Sequence, residues 1–256
     1  MKSLWNSFLI ALSMYSRIPV PQAEWTEKNL RWALCFFPLV GAVIGALGYG
    51  VYCLCEFLAL PQLLAGALLT ALPVVVTGGI HLDGFCDTTD AISSRLPREK
   101  KLEILKDPHA GAFAVLWCAV YFIVYFASAC SISLHTYLVF LSAYVFTRAL
   151  SALSVANFPT AKEGLVSTFK QAGANRAVTA VSLLWIAGAA AFSLAFSLWL
   201  GLVILAAGVV VYLFCVIVIF KTFGGISGDL AGWLLLVRVL YMLLAVARGG
   251  GHFCSW

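Results

Sequence analysis

Charge is scarce in this chain. Only 11% of its 256 residues are Asp, Glu, Lys or Arg, and 62% are hydrophobic. A soluble domain carries roughly 25% charged residues, so this composition excludes one. Nothing alternates with the period of two that a membrane β-barrel would need. There is no C-x-x-C pair either. The eight cysteines are scattered at 35, 53, 55, 86, 118, 130, 215 and 254, mostly in apolar stretches, where cysteine acts as a small buried hydrophobe. Neither a disulfide framework nor a zinc site is expected. The stretch from Leu4 to Met14 lacks an A-x-A cleavage site and runs into Tyr15-Ser16-Arg17-Ile18-Pro19-Val20-Pro21. It therefore reads as an interfacial or re-entrant helix, too short to span, rather than as a cleaved signal peptide. No linker divides the chain, which reads as one integral membrane domain over 1–256.

What the chain does have is long uncharged runs, at 32–55, 57–80, 110–147 and 177–220. A bilayer-spanning helix needs about 20 apolar residues. The runs predict seven helical spans, near 32–56, 61–80, 111–132, 136–158, 177–199, 201–220 and 226–247. Every backbone polar group must be satisfied inside lipid, so the fold class is all-α, a polytopic membrane helical bundle. Gly41, Gly45 and Gly48 fall on one face of the first span, where small residues favour close helix packing.

The net charge of +5 is an orientation signal rather than a nucleic-acid signal. With seven spans, the basic segments fall on one side: Lys2 to Arg31, the loop 81–110, the loop 159–176, and Lys221. The opposite loops, near 57–60, 133–135 and 200, hold no Lys or Arg. The positive-inside rule places the basic side, and the aspartate loop, in the cytoplasm, with Arg248 as the one exception.

The most informative stretch is Thr77-Gly78-Gly79-Ile80-His81-Leu82-Asp83-Gly84-Phe85-Cys86-Asp87-Thr88-Thr89-Asp90. Asp83, Asp87 and Asp90 stand at i, i+4 and i+7, on one face if the segment is helical. Carboxylates so close raise each other's pKa, and a hard divalent cation relieves the repulsion. Oxygen ligands together with a substrate phosphate suit Mg²⁺ best. A partial echo of the stretch, Gly224-Gly225-Ile226-Ser227-Gly228-Asp229, lies where the chain re-enters the membrane on the same side. Opposed copies of one motif can face each other across a site. Asp229 is the only acidic residue after Glu163, and an ionisable residue at a span's edge is usually paired, with Lys221 as the nearby partner, or functional. Gly225 and Gly228 would let backbone N–H groups approach a phosphate. Arg148, deep in an apolar run, needs an anionic partner, either a substrate phosphate or an aspartate; Arg238 raises the same question. His81 is a candidate general base beside the metal. Lys106 and Arg95 are candidate phosphate contacts, against the ordinary reading of solvated loop cations.

These residues resemble a known family. The run TGGIHLDGFCDTTDA is similar to the signature of the cobalamin synthases, the adenosylcobinamide-GDP ribazoletransferases. Ser16 to Pro21, Phe37-Pro38-Leu39-Val40-Gly41, Lys101 to Pro108 with Gly111, Lys162-Glu163-Gly164-Leu165, and Gly224 to Asp229 resemble further motifs in the family's order, from about 15 to 232. The resemblance implies an inner-membrane enzyme. It would join adenosylcobinamide-GDP to α-ribazole or its 5′-phosphate, form adenosylcobalamin or its 5′-phosphate, and release GMP. Mg²⁺ is the implied cofactor, held by Asp83, Asp87, Asp90 and Asp229. The implied partners are those substrates and the lipid bilayer, with no nucleic acid; an oligomer is compatible with the sequence. The chain departs from the family pattern at Ala91, at His109, in Trp233 to Val246, which has no glutamate, and in the tail from Arg248 to Trp256. Two other activities place acidic residues similarly. A CDP-alcohol phosphatidyltransferase would need D-G-x-x-A-R-x8-G-x3-D-x3-D, which is absent. A corrinoid or ion transporter would place its charges at the midplane rather than in a loop.

Overall fold

The computed structural model describes residues 2–249. Cys254 and the divergent tail beyond Gly249 lie outside the described residues. Twelve helices follow one another: α1 (Lys2–Tyr15), α2 (Glu27–Leu30), α3 (Ala33–Phe57), α4 (Gln62–Thr77), α5 (Ile80–Ser93), α6 (Arg98–Ile104), α7 (Ala112–Ala129), α8 (Leu134–Asn157), α9 (Leu165–Gln171), α10 (Asn175–Phe196), α11 (Leu198–Phe223) and α12 (Gly228–Gly249). No strand forms among the described residues, and the only β-type pairing is an isolated parallel bridge between Thr160 and Ile226.

Six helices are long and apolar enough to cross a bilayer: α3, α7, α8, α10, α11 and α12. Helices α4 and α5 pass the same test only as a pair bent by 95°, which brings the crossings to seven if the bent pair is one span. These elements coincide with the seven predicted spans. The second differs at its end, because Gly78 and Gly79 adopt left-handed φ values of 65° and 80° and stop α4 at Thr77. Only glycine takes that conformation without cost. The chain then turns into α5, so the start of the predicted loop 81–110 is helical. At 14 residues α5 is too short to span. It packs on α12 and α7.

Helix α8 is the axis of the bundle. It is buried almost throughout and packs against α3, α10, α11 and α12. Its contact with α3 uses the predicted glycine face. A Cβ on Gly45 would come within 2.7 Å of Leu141, and those on Gly41 and Gly48 would collide with the Tyr144 carbonyl and the Tyr137 hydroxyl. Small residues bring the two backbones together where lipid supplies no hydrophobic drive. Helix α1 packs against α3, burying Leu9, Ile10, Ala11 and Leu12.

Candidate active site

The two glycine-led turns build the site. In each, a glycine caps a helix in the left-handed region, Gly78 after α4 and Gly224 after α11. In each, the next helix carries an aspartate in its first turn, Asp83 on α5 and Asp229 on α12. A carboxylate there is favoured by the helix dipole. The turns meet because Gly84 has no side chain: a Cβ on it would lie 2.8 Å from the Asp229 Cα and carbonyl oxygen. Asp83 and Asp87 on α5 are thereby brought beside Asp229, although more than 140 positions separate them in the chain.

A third segment joins them. The Ile226 N–H donates to the Pro159 carbonyl at 2.8 Å, and the Ala161 N–H donates to the Ile226 carbonyl at 2.9 Å. This bridge delivers Lys162 to the site. Its ammonium pairs with Asp229 Oδ2 at 2.6 Å and donates to the Leu105 carbonyl at 2.7 Å. Asp229 is thus paired with Lys162 and not with Lys221. Lys162 was legible only as a member of the Lys-Glu-Gly-Leu motif; no local signal assigned it to Asp229.

Burial pushes the Asp87 carboxyl up to about 6; the Asp83 and Asp229 charges add to the rise, and Lys162 opposes it. Asp90 lies against Gly111 at the start of α7, its oxygens filling the space a Cβ there would need. It contributes least to the field at Asp87. Among the described residues, no three His, Cys, Asp or Glu side chains enclose an ion by themselves.

Beneath the carboxylates is a cavity of ≈ 360 Å³. Its lining combines the charged side chains of Asp83, Lys162, Glu163 and Asp229 with the apolar and aromatic ones of Tyr15, Leu34, Phe37, Val155, Val166 and Phe169. None of these apolar residues was among the candidate site residues read from sequence, because they come from four helices and only Phe37 falls in a quoted motif. His81 also lines the cavity. It is buried, with its ring near those of Tyr15 (5.9 Å) and Phe37 (5.6 Å), and its Nε2 has no hydrogen-bond partner. Gly228 lines the cavity too.

Other predicted residues lie elsewhere. Gly225 is buried against Pro159, Thr160 and Ala161 beside the bridge and does not line the cavity. Arg148 has no carboxylate partner. It donates to the Tyr144 carbonyl at 3.1 Å and lies 5.9 Å from the Phe37 ring centroid and 5.8 Å from that of Tyr144. Aromatic faces and a backbone carbonyl thus take the place of the expected anion. Arg238 is similarly buried, donating to the Leu234 carbonyl at 2.7 Å beside Tyr212. Lys106 and Arg95 are exposed and do not line the cavity.

The Cobalamin-5-phosphate synthase family model matches residues 7–247. An adenosylcobinamide-GDP ribazoletransferase of Lachnoclostridium phytofermentans is 43% identical over 251 residues, covering 96% of this chain and 95% of the relative. One of Clostridium botulinum strain Alaska E43 is 33% identical over 244 residues, covering 93% and 95%. No solved structure matches. With almost its whole length matched, this polytopic helical chain belongs to the Cobalamin-5-phosphate synthase family.

Proposed function

We propose that this chain is an adenosylcobinamide-GDP ribazoletransferase of the inner membrane, with its carboxylate site facing the cytoplasm. The observation that carries the reading is the convergence of Asp83, Asp87, Asp229 and Lys162 beside one cavity, in a chain of this family. The orientation rests on the basic segments that flank the site.

In the reaction, a ribose hydroxyl of α-ribazole, or of its 5′-phosphate, forms a new bond to the cobinamide-side phosphorus of the diphosphate. The bond from that phosphorus to the bridging oxygen breaks, GMP leaves with that oxygen, and the hydroxyl gives up its proton. Such transfers depend mainly on positioning and on neutralising charge. Asp229 is placed to accept a hydrogen bond from the hydroxyl and orient it. Lys162 is the cation beside the carboxylates and contacts the transferring phosphate, the role first assigned to Arg148, Lys106 and Arg95. His81 sits among the buried aromatic rings of the cavity, where it positions substrate.

The donor set fits Mg²⁺. The Asp83 and Asp229 charges both act on the Asp87 carboxyl, which burial already pushes up, and the Lys162 ammonium opposes them. Mg²⁺ is commonly held by one or two carboxylates plus substrate phosphates and water, so a closed cage of three side chains is unnecessary. Asp83 and Asp87 would hold it, with Asp229 and Asp90 next to them. When bound, the ion would supply charge neutralisation at the diphosphate.

The test is direct. Purified protein is incubated with adenosylcobinamide-GDP and α-ribazole, with and without Mg²⁺, and the corrinoid product is followed by mass. Product with stoichiometric GMP is expected only when Mg²⁺ is present. Absence of product, or CMP release from CDP-diacylglycerol and an alcohol, would reject the reading.

A further inference from the structure

The reaction has two bulky substrates, and the cavity holds one of them. We infer that the ≈ 360 Å³ cavity is the acceptor site. It takes the riboside of an apolar bicyclic aromatic base, with the base among the apolar residues and the ribose towards Asp83 and Asp229. The inference rests on the proposed transferase activity and specifies which substrate the cavity binds.

Size supplies the first argument. Ligand pockets range over roughly 300–1,000 Å³, and this one lies near the lower end. It suits a nucleoside. A corrin macrocycle with its amide side chains does not fit within it, so the corrinoid stays outside.

Polarity supplies the second argument, which separates the acceptor from the guanosine of the donor. Guanine presents several donors and acceptors along its edge. Buried without partners, each would cost about 1–3 kcal/mol. The apolar lining of the cavity is Leu34, Phe37, Val155, Val166 and Phe169, all buried, together with Tyr15. Apart from the Tyr15 hydroxyl, these side chains offer no polar group. A benzimidazole base asks for almost none, since one ring nitrogen bears the ribose and the other is its sole remaining acceptor.

The third argument is a pair of polar side chains that point to a ligand. Ser151 is 2% exposed, lines the cavity, and its hydroxyl makes no hydrogen bond within the described protein. His81 is 7% exposed, lines the cavity, and its Nε2 is unpartnered. Buried polar groups are normally satisfied, and an unsatisfied one calls for an explanation. A riboside of an apolar base answers both groups, with one ring nitrogen to accept from a donor and ribose hydroxyls to pair with the other. The aromatic rings of Tyr15 and Phe37 offer faces for the base.

Two measurements test the assignment on the purified full-length chain. The first uses unmodified protein and labelled α-ribazole in equilibrium dialysis without donor. Saturable binding is expected, unaffected by a roughly hundredfold excess of guanosine. Absence of binding, or displacement by guanosine, overturns the assignment. The second uses Val155→Phe, which fills the apolar part of the cavity. The KM for α-ribazole should rise roughly tenfold or more while the KM for adenosylcobinamide-GDP stays within about twofold. A rise confined to the donor overturns the assignment, and if this variant does not fold, the dialysis decides. Either adverse result alongside normal product formation by unmodified protein leaves the proposed activity standing. Failure of unmodified protein to form any product removes that activity instead.

Discussion

At the scale of single residues, the site is governed by carboxylate burial, by repulsion between carboxylates and by one ammonium. Asp87→Ala is expected to abolish Mg²⁺-dependent GMP release while the protein still inserts and folds, as measured by product formation and by thermal unfolding in detergent. Near-normal activity would remove Asp87 from the site. The raised Asp87 pKa gives a direction with pH. Its ionised form is disfavoured in the metal-free fold, so that fold gains stability as pH falls through about 6. Metal binding needs the ionised form, so Mg²⁺ affinity should weaken by up to about tenfold per pH unit below about 6. Calorimetric titration across pH 5–8 checks both slopes, and Asp87→Asn should remove this group's contribution. Lys162→Met leaves the Asp229 carboxylate without its 2.6 Å partner and the Leu105 carbonyl without its donor. A loss of about 1–3 kcal/mol is expected, with a large fall in kcat. Adding Asp229→Asn should restore much of the stability but not the activity, a non-additivity that a double-mutant cycle detects.

At the scale of helices, the site depends on how closely α5 lies on α12. Gly84 permits that approach. Gly84→Val would drive side-chain atoms into the Asp229 backbone and part the two helices, at a cost of about 1–3 kcal/mol. Melting temperature and kcat should therefore fall together. Gly79→Ala is a useful contrast. Its φ of 80° strains any other residue, but no atom lies within 4 Å of the added Cβ. It should lower stability by about 1 kcal/mol with a smaller effect on catalysis. The Asp83-Asp87-Asp90 spacing was legible in the sequence because the helical period alone sets it. The split within that trio was not legible, since Asp90 turns to Gly111 and only the packing of α7 on α5 decides that.

At the scale of the whole molecule, the proposed seven-span topology puts the basic segments on one side. Reporter fusions after Lys101 and after Ser197 are expected to report opposite sides of the membrane. The same side for both would break the seven-span topology, and with it the proposed cytoplasmic site. The positions of the six spanning helices and of the bent pair followed from apolar run lengths, because bilayer thickness fixes the helix length needed. The cavity did not follow, because α1, α3, α8 and α9 each give it one to three side chains and no local pattern gathers them.

The amino-acid sequence by itself determined the helical spans, the side on which charge collects, the glycine turns, and the supply of carboxylates. Each is a local consequence of hydrophobicity, backbone freedom or helical period. Tertiary structure alone decided that Asp229 pairs with Lys162, that Arg148 rests on aromatic rings and a carbonyl, and that an apolar cavity lies beside the acids. Those contacts join positions far apart in the chain, and only the packing of whole helices sets the distances between them.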